Sequence, residues 1–327
     1  QMRLFAESLY ARYAQTLGQD VEFPANGYRG QYVIEWAQEI AQSHGDRFLQ
    51  MERDQSVRAI GELGLEEKVL KSVRRDVELL NIHYDNWFHE RTLYEGPQFG
   101  TIMSILRQGD NLVEKEGAVW FKATRYGVEK DEVVIRSNGQ PGYFVSDIAY
   151  HYNKFVERGF DWVINVWGAD HQGHVPRMKA MMQALDLDPE RLTLLLYQLV
   201  TIKEGGEDIR LSKRAGTLVN LHELLEDVGP DAVRFFLLSR DVDSQMEFDL
   251  DLAREQSDKN PVYYVQYGHA RIASILRKAA KEGWDVESDA GDVSLLTHPS
   301  ELALIRRMLE LEEVIELAAS NLAPHHL

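Results

Sequence analysis

The sequence predicts an α/β domain built on a doubly wound parallel sheet, followed by an all-helical domain. Apolar, β-rich runs at 162–167 and 192–202 flank a helical pattern at 174–185. Strand–helix–strand order with apolar strands is typical of a parallel sheet that helices cover. From Pro230 onward the pattern becomes almost wholly helical. This change places the boundary between the two domains after residue 252.

The N-terminal part of the α/β domain is predominantly helical. A first amphipathic helix is predicted to end at Gly18, and a second covers about 32–42. We interpret the charged segment at about 46–115 as a solvated helical insertion without a site of its own. It is held by an apolar stripe at Val69, Val73, Val77 and Leu80.

The nucleotide-binding half of the domain is expected at about 116–252. Short strands are predicted at 118–121 and 133–136, and a turn then leads to a helix that Ser146 caps. The helical domain at 253–327 has its main predicted helices at 261–281 and 300–320.

Composition restricts the classes of function. The chain has 327 residues, of which 44% are hydrophobic and 27% charged, as is ordinary for a protein with a large core. We expect no membrane contact, because no apolar run approaches the ~20 residues of a membrane span. A cytoplasmic location is expected because the absence of cysteine fits a reducing compartment. Cysteine is absent, which excludes disulfides and Cys-ligated zinc. The net charge of −17 counts against a nucleic-acid binder.

The first motif with chemical content is Gly168-Ala169-Asp170-His171-Gln172-Gly173-His174, which follows a predicted strand. Open α/β sheets bind ligands at the carboxyl ends of their strands. Gly168 would let a ligand approach the backbone, and Asp170 could accept hydrogen bonds from two ribose hydroxyls. His174 lies at a helix N-terminus, which favours anionic groups. The alternative is an N-cap aspartate with two solvent-facing histidines.

The second motif is Arg210-Leu211-Ser212-Lys213-Arg214, in a polar, glycine-rich loop after the second apolar strand. A lysine between two arginines suits a triphosphate, because its point charge can follow the phosphate oxygens as charge develops. The alternative is an exposed basic loop in an acidic protein.

The third motif is Tyr143-Phe144-Val145-Ser146-Asp147, at a strand-to-helix junction. A carboxylate at Asp147 could hold a guanidinium through two parallel hydrogen bonds. The alternative is a carboxylate that only caps the helix.

Together these motifs resemble the class I aminoacyl-tRNA synthetases. G-x-D-x-x-x-H after one strand, with L-S-K-R about 40 residues later, is similar to their adenosine-binding motif and Lys-Met-Ser-Lys-Ser signature. Four longer runs are similar to arginyl-tRNA synthetases: KDEVVIRSNGQPGYFVSDIAYHYNKF (130–155), WGADHQGH (167–174), RLSKRAGTLVNLHELLEDVGPDAVRFFL (210–237) and NPVYYVQYGHARI (260–272). The resemblance covers nearly the whole chain and is weakest over about 50–110. It implies a Rossmann-like catalytic domain followed by the start of a helical anticodon-binding domain.

The resemblance implies an arginine site. Tyr143 and Asp147 match family positions that hold the substrate arginine, with Asp147 taking the guanidinium. His171 matches a position that lines the same pocket. Lysine should be rejected there, because one ammonium does not replace a fork of donors.

The resemblance also implies an ATP site, used with Mg²⁺ and without zinc or another protein-bound metal. Gly168, Asp170 and His174 match the adenosine-binding motif. Ser212 and Lys213 match the catalytic signature loop, with Lys213 on the phosphates. Arg210 and Arg214 depart from the signature, where they replace its first lysine and last serine.

The implied partners are L-arginine and the cognate tRNA for arginine, and the complete enzyme is expected to be monomeric. Tyr264, Tyr267 and Arg271 are the candidates to face tRNA, but for the two tyrosines core packing is the favoured alternative. We expect any binding of tRNA by so acidic a chain to be weak and strongly salt-sensitive.

The family's H-x-G-H motif is expected to lie outside this chain. His171-Gln172-Gly173-His174 matches the string, but it lies only about 40 residues before the signature loop and overlaps the adenosine motif. The opening QMRLFAESLYARYAQTLG resembles the stretch that follows the true motif. We therefore expect the first half of the nucleotide fold, an N-terminal tRNA-binding domain and the end of the anticodon-binding domain to be missing.

Three alternatives remain at this point. The chain could belong to a class I synthetase for another amino acid, or it could be an inert binding module that keeps a nucleotide half-site. It could also be another nucleotidyltransferase, although the helical run YVQYGHARI at 264–272 argues against that.

Overall fold

The computed structural model describes residues 2–209, 221–287 and 291–327. It contains two compact units, each assembled from separate stretches of the chain. The first unit comprises Gln1–His83, Ile202–Leu237 and Phe248–Leu295, and the second comprises Tyr84–Thr201, Leu238–Glu247 and Leu296–Leu327.

The core of the first unit is built from helices near the N-terminus. These are α1 (Met2–Thr16), α2 (Gln31–His44) and α3 (Arg53–Gly64). Their apolar faces share one buried cluster, in which Leu9 and Tyr13 are fully buried. A π-helical turn (Leu65–Leu70) then leads into α4 (Lys71–Leu79). The first part of the segment predicted to be helical, over 53–79, is therefore helical, as expected.

The second unit begins with α5 (Thr92–Glu95) and α6 (Gln98–Gln108). An antiparallel sheet follows, in the order β1 (Leu112–Lys115), β2 (Ala118–Phe121) and β3 (Glu132–Ile135). Strand β1 was not predicted, because its sequence is half charged. A turn with positive φ at both Glu116 and Gly117 pairs it with β2, which is typical of a two-residue hairpin.

A parallel pair of strands forms the centre of the second unit. Its elements are α7 (Tyr143–Tyr152), a π-helical turn (Asn153–Glu157), β4 (Val163–Gly168), a 3₁₀ turn (Ala169–His174), α8 (Val175–Ala184) and β5 (Leu192–Tyr197). Strands β4 and β5 pair in parallel from Val163↔Leu192 to Gly168↔Tyr197, so the predicted parallel pairing is confirmed.

The prediction that helices cover the parallel strands holds for only one face of β4. Val163 and Asn165 point into the core, whereas Ile164 and Val166 are exposed. Helices in the described part of the chain therefore cover only one face of β4. An apolar run in a sequence does not reveal which of its two faces is covered.

The remaining elements are a small sheet and the C-terminal helices. The predicted strand at 192–202 is divided. Tyr197 ends β5, and β6 (Val200–Glu204) belongs to a third sheet with β7 (Glu207–Asp208) and β8 (Met246–Asp249). The helices are α9 (Leu221–Val228), α10 (Pro230–Leu238), α11 (Leu250–Arg254), α12 (Pro261–Lys281) and α13 (Pro299–Ser320). None of the helices in the described ranges is both long and apolar enough to cross a membrane.

Candidate functional site

A close backbone approach fixes the start of the helix that carries Asp147. The N–H of Gly142 donates to the carbonyl of Val134 at 2.9 Å, and a Cβ on Gly142 would lie 2.4 Å from the carbonyl oxygen of Val133. Helix α7 therefore begins at Tyr143, with Gly142 as its N-cap. The predicted N-cap at Ser146 is wrong: Ser146 is buried, and its hydroxyl lies 2.5 Å from the hydroxyl of Tyr94.

Asp147 lies in the second turn of α7, so it does not cap the helix. Its carboxylate is half-buried and forms no hydrogen bond or ion pair with another described residue. Burial raises the pKa of Asp147 to about 6, while the positive charges of Arg177 and Lys154 act in the opposite direction. A half-buried carboxylate with a perturbed pKa and no partner is typical of a binding site for a cation.

Glu90 is a second carboxylate that acts on this position, and sequence analysis did not find it. It lies in the turn before α5, and its negative charge raises the pKa of both Asp147 and Tyr94. Glu90 falls within the segment where the family resemblance is weakest. Only the folded chain brings its charge close to the start of α7.

Tyr143 and His171 were the other predicted arginine-site residues. The Tyr143 side chain is 81% exposed, and the Arg136 guanidinium lies 5.2 Å from the centre of its ring. His171 is half-exposed on the 3₁₀ turn after β4, and its positive charge would lower the pKa of Asp147. The structure thus brings His171 within electrostatic reach of Asp147.

The predicted nucleotide motif forms one compact turn at the end of β4. Gly168 is the last residue of the strand, and Asp170, His171 and His174 follow on the 3₁₀ turn. The rings of His171 and His174 lie 5.1 Å apart, and that of Trp167 lies 5.8 Å from His171. The carboxylate of Asp170 is exposed and caps neither this turn nor α8, so the N-cap alternative is wrong.

Arg177 connects this turn to the rest of the unit, and sequence analysis did not single it out. Its Nη2 donates to Nδ1 of His174 at 2.6 Å, and its Nη1 lies 3.2 Å from the carboxylate of Glu132 on β3. Burial lowers the pKa of His174, and the positive charge of Arg177 lowers it further. His174 is therefore neutral near pH 7, with its proton on Nε2.

The predicted signature-loop residues Ser212 and Lys213 lie outside the described residues. The described segments on either side of that loop are bound by one side chain. Arg254 donates to the carboxylate of Glu204 at 2.7 Å, and it donates to the carboxylate of Asp227 from Nε at 2.9 Å and also from Nη2. Arg254 thus joins β6 to α9, which precede and follow that loop in the sequence.

The three residues predicted to face tRNA lie on α12. Tyr264 and Tyr267 are both at least half exposed, so the core-packing alternative is wrong for the two tyrosines. The guanidinium of Arg271 lies 5.7 Å from the ring centre of Tyr267, and the rings of Tyr267 and Tyr263 are nearly parallel with centres 6.3 Å apart. This arrangement presents aromatic rings and a cation on one exposed helix surface.

The described residues do not form a metal site. Within the described ranges, no three His, Asp or Glu side chains come together in a group that could hold a metal ion.

Comparisons with known families divide the chain into two parts. The family model for tRNA synthetases class I (R), catalytic domain, matches residues 49–249. The family model for the DALR anticodon binding domain matches residues 265–327.

Individual relatives that match the whole chain are arginine–tRNA ligases. The chain is 51% identical over 327 residues to an arginine–tRNA ligase of Dehalococcoides mccartyi, and it is 48% identical to one of Heliobacterium modesticaldum. Both alignments cover 100% of this chain but only 58% and 59% of those proteins. The chain therefore spans less than two thirds of the length of the curated relatives that it matches.

Solved structures agree at the level of the fold. A Campylobacter jejuni structure described as an arginyl-tRNA synthetase superposes with a TM-score of 0.88 at 29% identity, covering 100% of this chain and 70% of that chain. The arginyl-tRNA synthetase of Thermus thermophilus gives a TM-score of 0.72 at 22% identity, covering 98% of this chain and 62% of that chain.

Proposed function

The chain belongs to the class I tRNA synthetases for arginine, and from that premise we propose that it carries the arginine- and adenosine-binding part of an arginine–tRNA ligase. The single observation that supports this most is the carboxylate of Asp147. It is half-buried, it has no partner among the described residues, and its pKa is raised to about 6. A guanidinium would supply the missing partner.

We place the guanidinium of L-arginine on Asp147, with Glu90 as a second carboxylate near it. An arginine side chain presents five donors in a fixed fork, which suits carboxylate oxygens better than a single ammonium does. Tyr143, four residues before Asp147 on α7, and His171, whose charge acts on Asp147, would border the rest of the amino acid. Lysine is the natural competitor that this pocket must reject.

We place adenosine on the turn at the end of β4. Gly168 lets a ligand approach the strand end, and the exposed carboxylate of Asp170 can accept hydrogen bonds from two ribose hydroxyls. His174 is held with its Nε2–H free to donate, because Arg177 occupies Nδ1. Lys213 would contact the ATP phosphates from the signature loop, with Ser212 beside it.

The proposed reaction has two steps. The arginine carboxylate attacks the α-phosphorus of ATP, so that a C–O–P bond forms and pyrophosphate leaves. A ribose hydroxyl of the terminal adenosine of tRNA then attacks the acyl carbon, and AMP leaves. No side-chain nucleophile is required, so this chain contributes positioning and charge stabilisation. Mg²⁺ would enter with ATP.

The proposed catalytic part covers 1–252 and the proposed anticodon-binding part covers 253–327. We place tRNA against the exposed Tyr264, Tyr267 and Arg271 on α12. The process would be protein synthesis in the cytoplasm, carried out by a monomer.

Calorimetric titration of the chain with L-arginine, and with L-lysine as the control, tests this proposal directly. Binding of arginine without binding of lysine is the expected result. Equal affinity for the two amino acids would contradict a guanidinium pocket at Asp147. ATP is titrated separately, because its site lies on different residues.

A further inference from the structure

A chain of buried hydrogen bonds lies behind Asp147, and the proposed reaction does not use it. His151 on α7 and Asn165 on β4 are 3% and 7% exposed. Nδ1 of His151 lies 2.7 Å from the backbone carbonyl oxygen of Asp147, and its Nε2 lies 2.8 Å from Nδ2 of Asn165. Nζ of Lys154 lies 3.1 Å from Oδ1 of Asn165.

The order of donors along this chain is determined by its outer end. Lys154 can only donate, so the atom of Asn165 that it contacts must be the carbonyl oxygen. The amide NH₂ of Asn165 therefore faces His151 and donates to Nε2. Nε2 must then be unprotonated, and the ring proton must lie on Nδ1, where it donates to the carbonyl of Asp147.

This order requires a neutral imidazole at His151. Burial lowers the pKa of His151 to about 4, and the nearby charge of Lys154 acts in the same direction. The ring therefore keeps one proton over the range in which the protein would work.

The hydrogen-bonded chain connects two elements with different proposed roles. Asp147 lies on α7, and Asn165 lies on β4, whose last residue is Gly168 of the nucleotide motif. A hydrogen bond to the backbone of Asp147 limits the movement of the helical turn that carries the carboxylate. A displacement of about 1 Å at a binding group is enough to reduce its effect strongly.

We propose that His151 is a positioning residue for Asp147, held in the required tautomer by Asn165 and Lys154. This inference rests on the proposed function only where it predicts a change in the affinity for L-arginine. The position of the Asp147 carboxylate is itself measurable without any ligand.

Two isosteric variants separate positioning from simple packing. In His151→Asn, the side-chain NH₂ takes the place of Nδ1 and can still donate to Asp147. In His151→Gln, the amide reaches the place of Nε2 and loses the donor at Nδ1. The matched control is His326→Gln, at an exposed histidine of the same unit.

The readouts are the ¹³C titration of the Asp147 carboxyl, assigned by its loss in Asp147→Asn, and the Kd values for L-arginine and ATP. In His151→Gln, we expect the pKa of Asp147 to fall by about one unit as the turn becomes more solvated. We expect the Kd for arginine to rise about tenfold, with that for ATP unchanged. His151→Asn should stay within about twofold of the wild type for both ligands.

Several results would overturn the inference. It is wrong if both variants shift the titration equally, or if neither shifts it while arginine still binds. If the variants do not fold, ¹⁵N shifts of the wild-type ring decide, because a proton on Nε2 of His151 would refute the donor order. If the wild type does not prefer arginine but His151→Gln still shifts the Asp147 titration, the proposed function fails and the positioning role stands.

Discussion

Arg177 donates a hydrogen bond to Nδ1 of His174 at 2.6 Å, so a cation lies at the edge of a neutral imidazole ring. The same guanidinium pairs with Glu132 at 3.2 Å. Its positive charge also lowers the pKa of both His174 and Asp147. One arginine therefore influences the proposed adenosine site and the proposed arginine site together.

Replacing Arg177 by methionine should raise the pKa of His174 and that of Asp147. Removal of a nearby positive charge makes it easier to protonate both groups. The measurement is an NMR titration of the two side chains. Arg158→Met is the matched control. It also removes an arginine charge from the same unit, but the charge of Arg158 acts on the pKa of Lys154 and not on that of His174. An unchanged His174 titration in Arg177→Met would show that burial alone sets its pKa.

The two proposed subsites should respond separately to substitution. We expect Asp147→Asn to raise the Kd for L-arginine by about 100-fold, because an amide cannot accept two charge-assisted hydrogen bonds. Asp170→Asn should weaken ATP and leave arginine unchanged. Each variant is the control for the other in calorimetric titrations, and a loss of both ligands in either one would contradict separate subsites.

The arginine site should also depend on pH. The pKa of free Asp147 is about 6, and only the ionised carboxylate attracts a guanidinium. Arginine affinity should therefore rise between about pH 5 and pH 7 in the wild type. The same titrations in Asp147→Asn should be flat over this range.

Local patterns in the sequence predicted much of the fold. Helix α12 was predicted with its observed bounds, Pro261–Lys281. In the structure Asn260 is its N-cap and Pro261 its first residue, which is a strong local signal for a helix start. The parallel strands β4 and β5 were predicted from their apolar runs. The motif at 168–174 was placed at a strand end, where the structure has it.

Features that depend on distant contacts were not predictable. Ser146 has the chemistry of an N-cap, but the close approach of Gly142 to Val133 places the N-cap four residues earlier, at Gly142. Glu90 and Arg177 carry no local signal, because their charges act on Asp147 only after folding. The partners of Asn165 lie on another element, so its burial in β4 could not be read from the strand itself.

Two glycines should give opposite results when replaced by alanine. A Cβ at Gly142 would lie 2.4 Å from a backbone oxygen, so Gly142→Ala should destabilise the protein by about 2 kcal/mol or more. At Gly268, inside α12, a Cβ would meet nothing within 4 Å. Gly268→Ala should stabilise that helix by about 0.5–1 kcal/mol. Urea denaturation measures both, and equal effects would contradict the contact at Gly142.

Two neighbouring groups, His151 and Asp147, should change the stability of the chain with pH in opposite directions. The pKa of His151 is lowered to about 4, so the unfolded state binds its proton first and acidification below about pH 6.5 destabilises the fold. The pKa of Asp147 is raised to about 6, so the folded state binds its proton first and acidification stabilises the fold. Each slope is about 1.4 kcal/mol per pH unit, so the two largely cancel between about pH 4 and pH 6.

Asp147→Asn should remove the pH dependence of stability that comes from Asp147 and leave that of His151. The difference in unfolding free energy between the variant and the wild type should grow in favour of the variant by about 2 kcal/mol from about pH 4.5 to about pH 6.5. The reason is that the variant no longer buries an unpaired carboxylate. Asp161→Asn, at a fully exposed side chain, is the matched control and should follow the wild type. Saturating L-arginine should stabilise the wild type alone, since the ligand supplies the partner that Asp147 lacks. A variant whose stability followed the wild type at every pH would show that Asp147 is already solvated or paired in the free protein.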